Sequence, residues 1–501
     1  MHQPLLAFEQ LQGHHTGDYL ANIVLNVLEE FDITEKLFCI TSDNASNNGT
    51  LVRTLQDLLA ERHGIWWDHK KHYIRCIAHI INILVDHFFK NLVDEDGNPF
   101  NTTLVKIRSI AKLIRKSTVL WEAFCKCCRD YDLNPMTIPL DCGPRWSSKY
   151  LMLTIAVYLR KAIHRLVDDN PSRLEEFRLT HYEWEVAEVL LVFLMPFKRC
   201  TKRFECNNTS PEIGMAPLID PADTDYVFFA YDALFNHIED VKGALNSHQG
   251  LGALPCAPNL VTGLEAMETT LRQYYSATEL PTVYGDAMIL NPRCKLSIFN
   301  TATWDATQGQ SYSEACRERF IKDYCSNSAP ADTENPRSGT KRPCTDDAEF
   351  NALLAARTTK RVKNDYDHYI DTPNDVTLRS PLEWYKANHA SVPDLAKMAR
   401  DVLAVPASGS AVERVFSVSG RIATWQRNRL SAETISSLMM FKCGMKDTNW
   451  PVPDTMAGEP EELEVPELLG VIPPEWEDNW WQHKLERPVR QEVLDMFAGN
   501  T

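Results

Sequence analysis

The sequence lacks any apolar run long enough to cross a membrane. Its longest run, Val189–Met195, is far short of the roughly 20 residues that a membrane-spanning helix needs. The first residues, from Met1 to Phe8, contain neither a basic region nor an apolar stretch of signal-peptide length. Without an export signal, the fourteen cysteines are expected to stay reduced. These absences predict a soluble intracellular protein.

The chain also lacks a net positive charge. Lys and Arg number 52 against 68 Asp and Glu, which gives a net charge of −16. Residues 447–501 alone hold thirteen acidic and three basic side chains, so this tail carries most of the excess. Such a charge argues against a phosphate-binding surface spread over the whole molecule. Local basic runs remain, at Lys70-Lys71, Lys106 to Arg108, Lys112 to Lys116, Lys198-Arg199 and Lys202-Arg203.

The apolar pattern changes along the chain. The first eighty residues combine short apolar runs, typical of strands, with helical spacing. We predict strands at Leu5–Leu11, Lys36–Thr41 and Tyr73–Ile77, and helices at Tyr19–Glu30 and Asn44–Ala60. This order predicts a mixed α/β sheet. From about residue 80 to 290 the spacing is mainly helical, and no internal repeat is present.

Asp43 lies where a predicted strand meets a predicted helix, within the run Thr41-Ser42-Asp43-Asn44-Ala45-Ser46-Asn47-Asn48. A carboxylate at such an edge suits a Mg²⁺ ligand in two-metal phosphoryl transfer. The alternative is structural, because Asp43 or Ser42 could cap the helix expected to begin at Asn44. The local residues leave both interpretations open.

Glu413 has the same ambiguity. It is found in Pro406-Ala407-Ser408-Gly409-Ser410-Ala411-Val412-Glu413-Arg414-Val415-Phe416-Ser417. Ser410 and Glu413 match a capping box, in which the Glu reaches back to the cap backbone. Further along, Ser431 is predicted to cap a helix with Ile435, Leu438 and Met439 at helical spacing. Such a stripe ordinarily belongs to a core.

Two other pairs bear on chemistry. Cys76-x-x-His79 invites a zinc interpretation, but a structural zinc needs four ligands and no second close pair follows. Arg145-Trp146 follows a loop at Asp141–Pro144. An exposed Trp there could stack on an unpaired base, and the alternative is a core residue at a helix start.

The two blocks around Asp43 and Glu413, with Gly420 and Arg427-Asn428-Arg429-Leu430, resemble those of the hAT (hobo/Activator) superfamily of transposases. The resemblance implies a ribonuclease H-like core interrupted by a large helical insertion, so the fold class is α/β plus all-α. It implies that Asp43 and Glu413 are the second and third catalytic acids, bind Mg²⁺ and converge. It implies that Arg145 and Trp146 contact DNA near the cleaved end. It also implies that Cys76 and His79 belong to the DNA-binding residues, as support for the hairpin or the active site and without zinc.

The resemblance also implies a nuclear, DNA-associated protein that forms a homodimer or larger oligomer and has no membrane partner. Its dimerisation surface would include Val415, Phe416, Ile435, Leu438 and Met439. The implied domains are a partial ribonuclease H-like core at 1–80, a helical insertion at 81–325, a disordered linker at 326–364, a dimerisation domain completing the core at 365–446 and an acidic tail at 447–501.

The family's first catalytic Asp and its N-terminal zinc finger have no counterpart in these residues. The sequence therefore predicts a transposase-derived protein that keeps dimerisation but is catalytically inactive, with its first strands missing. Two alternatives remain: an active cut-and-paste transposase whose true N-terminus precedes Met1, and a domesticated DNA-associated regulator.

Overall fold

The computed structural model describes residues 4–11, 13–92, 99–141, 146–205, 224–246, 252, 254–278, 280–300, 306–325, 364–378, 380–422 and 430–447. The predicted linker at 326–364 lies outside the described residues except for Asn364, and the predicted tail lies outside them beyond Asp447.

The described residues are mostly helical and contain one small parallel sheet. In chain order the elements are α1 Gly17–Glu30, β1 Ile40–Ser42, α2 Asn48–His63, α3 His69–His72, β2 Tyr73–Arg75, α4 Ile77–Asn91, α5 Pro99–Lys116, α6 Thr118–Asp130, α7 Trp146–Tyr158, α8 Arg160–Asp169, α9 Pro171–Leu174, α10 His181–Glu205, α11 Val227–Leu245, α12 Ala257–Thr278, α13 Thr282–Ile289, α14 Ala306–Asp323, α15 Asp365–Asp371, α16 Pro381–Asn388, α17 Pro393–Val402, α18 Ser410–Ile422 and α19 Ala432–Asp447.

The chain divides into two compact units. Unit 1 comprises Met1–Pro217, Val227–Pro281 and Ala407–Thr501, and unit 2 comprises Leu218–Tyr226 and Thr282–Pro406. Unit 1 therefore holds the sheet together with α1–α12, α18 and α19. Unit 2 holds α13–α17.

In unit 1 the sheet is flanked by the helix pair α1 and α2. The two helices share a core with the buried Trp67, formed by Ala21, Leu25, Leu51, Val52, Leu55 and Leu59. Their N-termini approach closely, because a Cβ at Gly17 would lie 2.6 Å from the carbonyl oxygen of Asn47. Burial of this apolar surface is the main force that fixes α2, and with it the preceding block at Asp43–Asn48.

A helical layer completes unit 1. Helix α4 packs on α12 and α10, and the rings of Phe88 and Phe193 lie 4.4 Å apart between their centroids. The backbones of α4 and α12 come close at Gly263, where a Cβ would meet the Phe88 ring at 2.9 Å. This contact ties the segment that follows β2 to the helices far along the chain.

Unit 2 is organised around the buried helix α13. The carboxylate of Asp286 is almost fully buried and accepts two hydrogen bonds from the Arg319 guanidinium on α14, one of them from Nε at 2.8 Å. Two buried tyrosines anchor α15 and α16, since Tyr369 donates to the carbonyl of Ile289 and Tyr385 to that of Leu290, both at 2.9 Å. Unit 2 thus has its own core.

Two expectations about the strands need correction. The segment Leu5–Leu11 is not a strand: it forms neither helix nor strand over its described residues. The strand expected at Lys36–Thr41 is confined to Ile40–Ser42, because Thr34–Lys36 forms a 3₁₀ turn. The predicted strand at Tyr73–Ile77 is present as Tyr73–Arg75.

Candidate functional site

The sheet brings Asp43 beside Cys76. Strands β1 and β2 run parallel, with Ser42 opposite Arg75, and the backbone N–H of Cys76 donates to the carbonyl of Ser42 at 2.9 Å. Asp43 and Cys76 are thus the first residues beyond the carboxyl ends of two neighbouring parallel strands. This edge is where open parallel sheets ordinarily carry functional groups.

Asp43 is held in a fixed orientation by its own block. Its Oδ1 accepts from the backbone N–H of Ala45 at 3.2 Å and from Nδ2 of the buried Asn48 at 2.6 Å. Its Oδ2 has no hydrogen-bond partner among the described residues, and the residue is exposed. Helix α2 begins at Asn48 with Asn47 as its N-cap. Asp43 therefore does not cap a helix beginning at Asn44, and one carboxylate oxygen stays open to solvent.

Tyr73 supports the backbone of Asp43 from the neighbouring strand. Its hydroxyl donates to the carbonyl of Asp43 at 3.2 Å and lies 3.0 Å from Oγ of Ser42. Burial raises the pKa of Tyr73 above its usual 10.0. The hydroxyl therefore stays protonated near neutral pH and remains a donor.

Cys76 links this edge to the C-terminal block. The thiol is buried, with 1% of the residue exposed. Its sulfur accepts a hydrogen bond from the backbone N–H of Gly409 at 3.2 Å and lies 3.5 Å from Oγ of Ser408. The next residue, Ile77, donates its N–H to the carbonyl of Ala407 at 3.0 Å. Two segments more than 300 residues apart are thereby joined within unit 1.

Glu413 lies one helical turn after Gly409, the residue that contacts Cys76. Helix α18 begins at Ser410, whose N–H donates to Oγ of Ser408 at 3.2 Å, and the N–H of Glu413 donates to the carbonyl of Gly409 at 3.2 Å. Both bonds that a Ser410–Glu413 capping box would need are thus made to other groups. The Glu413 side chain is exposed, and its carboxylate is available to a ligand.

Positive charge lies beside the start of α18. Oγ of Ser410 donates to the carbonyl of Phe204 at 3.2 Å, and the last turn of α10 carries Lys202 and Arg203. Carboxylates near cationic side chains suit a metal ion that in turn binds a phosphate. The basic run at the end of α10 is therefore part of the same neighbourhood as Glu413.

Asp43 and Glu413 are the two carboxylates here that could hold a divalent cation. Mg²⁺ prefers carboxylate oxygens and keeps several water ligands, which the open Oδ2 of Asp43 and the exposed Glu413 side chain would allow. Among the described residues, no group of three or more His, Cys, Asp or Glu side chains is arranged to hold a metal ion.

The remaining predicted DNA contacts occupy different settings. His79 lies half-buried in the first turn of α4, three residues after Cys76. Trp146 starts α7 and is only 4% exposed, with its ring 6.3 Å from that of Tyr150. In this conformation the indole is part of the core and offers no face to a base. Arg145 lies outside the described residues.

The predicted dimerisation residues divide into three groups by exposure. Phe416 and Leu438 are exposed, whereas Met439 is fully buried and Val415 and Ile435 are half-buried. Phe416 also contacts Phe8 of the N-terminal segment, with ring centroids 5.5 Å apart. Met439 therefore serves the core of the chain itself, and Phe416 and Leu438 are the members open to a partner.

The sequence interpretation missed Asn48, Tyr73 and Ser408. Asn48 and Ser408 lie inside the two blocks already singled out, and a buried Asn five residues after a carboxylate is a signal that could have been used. The contact of Tyr73 with Asp43 depends on strand pairing, and the residues next to Tyr73 in the sequence do not indicate it. Among the described residues, no helix combines the length and apolar character required of a membrane span.

Three family models match the chain. The hAT family C-terminal dimerisation region matches residues 365–445. The ZBED1 RNase-like domain matches residues 1–70, and the ZBED1 RNase-like helical domain matches residues 74–193. Asp43 and Cys76 thus fall in the RNase-like regions, and Glu413 falls in the dimerisation region.

Curated relatives are similar over most of the chain. The "Putative transcriptional regulator tpeD" of Talaromyces stipitatus is 26% identical over 474 residues, which cover 88% of this chain and 50% of the relative. The "Putative AC transposase" of Zea mays is 27% identical over 455 residues, covering 87% of this chain and 52% of the relative. The "Zinc finger BED domain-containing protein RICESLEEPER 1" of Oryza sativa is 24% identical over 440 residues, covering 81% and 55%. The chain spans about half the length of these relatives.

Proposed function

We propose that this chain, which belongs to the hAT superfamily of transposases, acts mainly by self-association through its C-terminal region. The partner in this proposal is a second copy of the chain, and the product is a homodimer or a larger oligomer. Residues 1–501 are proposed to be transposase-derived and to lack strand-cleavage activity of their own.

The main observation in support of self-association is an exposed apolar surface on α18 and α19. It consists of Val412 at 56% exposure, Phe416 at 60%, Leu438 at 41% and Phe441 at 68%. Each pair lies on one face of its helix, at a spacing of four or three residues. Soluble monomers rarely expose clustered large apolar side chains, which ordinarily mark a contact surface. We name these four residues the apolar C-terminal surface.

The location of this surface supports a partner of the same kind. All four residues belong to the region that matches the hAT dimerisation model. Obligate interfaces commonly bury 2,000 Å² or more and are core-like in composition. A symmetric pairing would bring the same four side chains together from both copies.

The carboxylates support a second, weaker element of the proposal. Asp43 and Glu413 would hold Mg²⁺, and a bound Mg²⁺ would polarise a phosphate ester of DNA. The residues of this chain contribute orientation: Asn48 fixes Asp43, and the Cys76–Gly409 hydrogen bond fixes the start of α18. The family's first acid has no counterpart in residues 1–501, so we propose that these side chains bind a cation without cleaving DNA.

DNA association and a nuclear location are proposed on the family premise. Relatives bear the names of a transposase and of a transcriptional regulator, and a basic helix end lies beside Glu413. The name of the fungal relative favours a second candidate function, a DNA-associated regulator that uses dimerisation to recruit partners. An active transposase of which these residues form a part is the remaining alternative.

Sedimentation velocity of the 501-residue chain tests the central proposal. We expect a species of at least twice the chain mass at micromolar concentration. A soluble monomer at these concentrations would contradict self-association, and the apolar C-terminal surface would then need another partner.

A further inference from the structure

A pocket lies between the end of α5 and the start of α6, in unit 1. It has a volume of about 290 Å³ and is lined by Ile114, Arg115, Ser117, Thr118, Trp121 and Thr137. This volume is near the lower end of the range for small-molecule sites. The lining combines a guanidinium, three hydroxyls and an indole, which are the groups that contact the phosphate and the base of a nucleotide.

Three cations stand at the end of α5, of which Arg115 lines the pocket, and none of them forms an ion pair within the described residues. Lys112, Arg115 and Lys116 are all exposed within the last turns of α5, and no ion pair to a described carboxylate involves any of them. Like charges at spacings of three and four on a helix repel one another. A bound anion would relieve that repulsion.

The same helix shows how its other cations are used. Lys106 pairs with Glu183 at 2.7 Å, and Arg108 pairs with the carboxylate of Asp141. Both acidic partners are largely buried, so these two pairs serve internal packing. Arg115 is the cation of this helix that lines the pocket, and Lys112 and Lys116 lie within one helical turn of it.

The start of α6 contributes hydroxyl and amide groups to the pocket. Ser117 caps the helix, with its Oγ accepting from the N–H of Leu120 at 3.3 Å, and Thr118 is the first helical residue. The first N–H groups of a helix lack acceptors within it and favour an anion. Arg115 and the first residues of α6, Ser117 and Thr118, therefore line the same pocket.

Trp121 provides the aromatic wall. The residue is half-buried, and its ring packs against that of Phe124 with centroids 6.0 Å apart. A ring fixed in this way presents its remaining surface without losing much side-chain entropy. Stacking of a base on an aromatic side chain contributes about 1–3 kcal/mol.

We propose that this pocket binds a nucleotide unit, with its phosphate on Arg115 and the start of α6 and its base on Trp121. The unit belongs either to a free nucleotide or to a single nucleic-acid strand, because both present the same phosphate and base. The site is formed by α5, α6 and Thr137, which are separate from the Asp43 and Glu413 blocks in the sequence, and it does not rest on the proposed self-association.

Fluorescence anisotropy with the full 501-residue chain tests the proposal. The probes are a labelled single-stranded decanucleotide and, in a separate titration, fluorescently labelled AMP and ATP. The competitors are unlabelled AMP, ATP and inorganic phosphate. We expect saturable binding of the probe or displaceable binding of AMP or ATP. Displacement by millimolar AMP or ATP identifies a free-nucleotide site, and binding of the strand without such displacement identifies a strand site.

The variants assign the binding to the pocket. Arg115→Glu should weaken it at least about tenfold, because the reversed charge repels the phosphate. Trp121→Leu should weaken it about fivefold or more through lost stacking, with circular dichroism verifying the fold. Lys126→Glu is the matched control, an exposed charge reversal on α6 outside the pocket lining, and should change affinity less than about twofold.

Three outcomes would overturn the proposal. The first is the absence of saturable binding by both the strand and the free nucleotides. The second is an Arg115→Glu variant that binds as tightly as the wild type. The third is displacement by inorganic phosphate at the same concentration as AMP, since the base would then contribute nothing.

Discussion

The backbone N–H of Gly409 donates a hydrogen bond to the sulfur of Cys76 at 3.2 Å, although the two residues are 333 positions apart. Cys76 follows the strand that lies beside Asp43, and Gly409 precedes the helix that carries Glu413. Together with the bond from the Ile77 N–H to the Ala407 carbonyl, this bond connects the two motif blocks of the chain. Its loss should therefore affect both blocks.

Replacing Cys76 tests that connection. Cys76→Ala should leave the Gly409 N–H without its acceptor, which costs about 1–2 kcal/mol, and should increase opening of the segment Ala407–Glu413. Cys76→Ser keeps an acceptor at the same place and should lose less. Hydrogen exchange measured by mass spectrometry on peptides covering Gly409 reports the change. Equal exchange in the wild type and the Ala variant would contradict the role of the bond.

The apolar C-terminal surface predicts which substitutions disrupt self-association. Phe416→Asp and Leu438→Asp should each shift the chain to monomer or to aggregate, because a charge in an apolar interface must be desolvated without a partner. Val376→Asp is the control: Val376 is equally apolar and 71% exposed, but lies in unit 2 outside that surface. Sedimentation velocity distinguishes the variants. A dimer that survives both substitutions would show that another surface holds it.

Strand cleavage gives a third prediction. We expect no Mg²⁺- or Mn²⁺-dependent cleavage of terminal-repeat DNA by residues 1–501. The reason is that these residues contain no counterpart of the family's first catalytic acid, which would act together with Asp43 and Glu413. Gel assays with labelled DNA would measure it. Cleavage that Asp43→Asn abolishes would mean that another carboxylate completes the set. Asp18 would be tested before Asp141, since the Asp141 carboxylate is already bound by Arg108.

The buried ion pair of unit 2 predicts a large loss of stability. Arg319→Met should lower the free energy of unfolding by about 3–5 kcal/mol, because it leaves the Asp286 carboxylate buried without a counter-charge. Lys397→Met, in the partly exposed pair with Asp394 of the same unit, should cost less than about 1 kcal/mol. Urea unfolding followed by circular dichroism compares them. Similar losses in the two variants would contradict the importance of burial.

His237 predicts a loss of stability in mild acid. Its Nε2 lies 2.9 Å from the carbonyl oxygen of Phe193, and burial lowers the pKa of His237 below 6.5. Below pH 6.5 the unfolded chain binds a proton that the folded chain resists. The contribution of His237 to the free energy of unfolding is thus complete above pH 6.5. Below pH 6.5, the free energy of unfolding decreases by up to about 1.4 kcal/mol for each unit by which the pH is lowered.

The comparison with His237→Gln isolates this residue from the other histidines. The Gln variant cannot take up the proton, so its urea midpoint should fall less than that of the wild type between pH 7.5 and 5.5. An identical fall in both proteins would assign the acid sensitivity to other groups.

Local sequence patterns predicted the two helices that flank the sheet and the start of α19. The helix expected at Tyr19–Glu30 is present as Gly17–Glu30, and Ser431 accepts from the N–H of Thr434 at the start of α19 as predicted. These features depend on side chains within one or two turns, so neighbouring residues suffice to predict them. The helix expected to begin at Asn44 begins at Asn48 instead, because Asp43 uses its carboxylate in a turn with Ala45.

Strands and site geometry were harder to predict for a physical reason. A strand needs a partner to accept its backbone hydrogen bonds. Leu5–Leu11 has the composition of a strand, but its Phe8 instead packs on Phe416. The Cys76–Gly409 contact likewise has no local signal. The resemblance correctly identified the family, while the roles given to Asp43, Glu413 and Arg145 remain predictions.

The long separation between Cys76 and Gly409 has a consequence for synthesis on the ribosome. Chains grow at about 5–20 residues per second, so the thiol of Cys76 emerges roughly 17–67 s before the amide that caps it. During that interval the strand edge at Asp43 and Cys76 has no covering segment from the C-terminal block. Unit 1 can therefore complete this contact only after Gly409 has been translated.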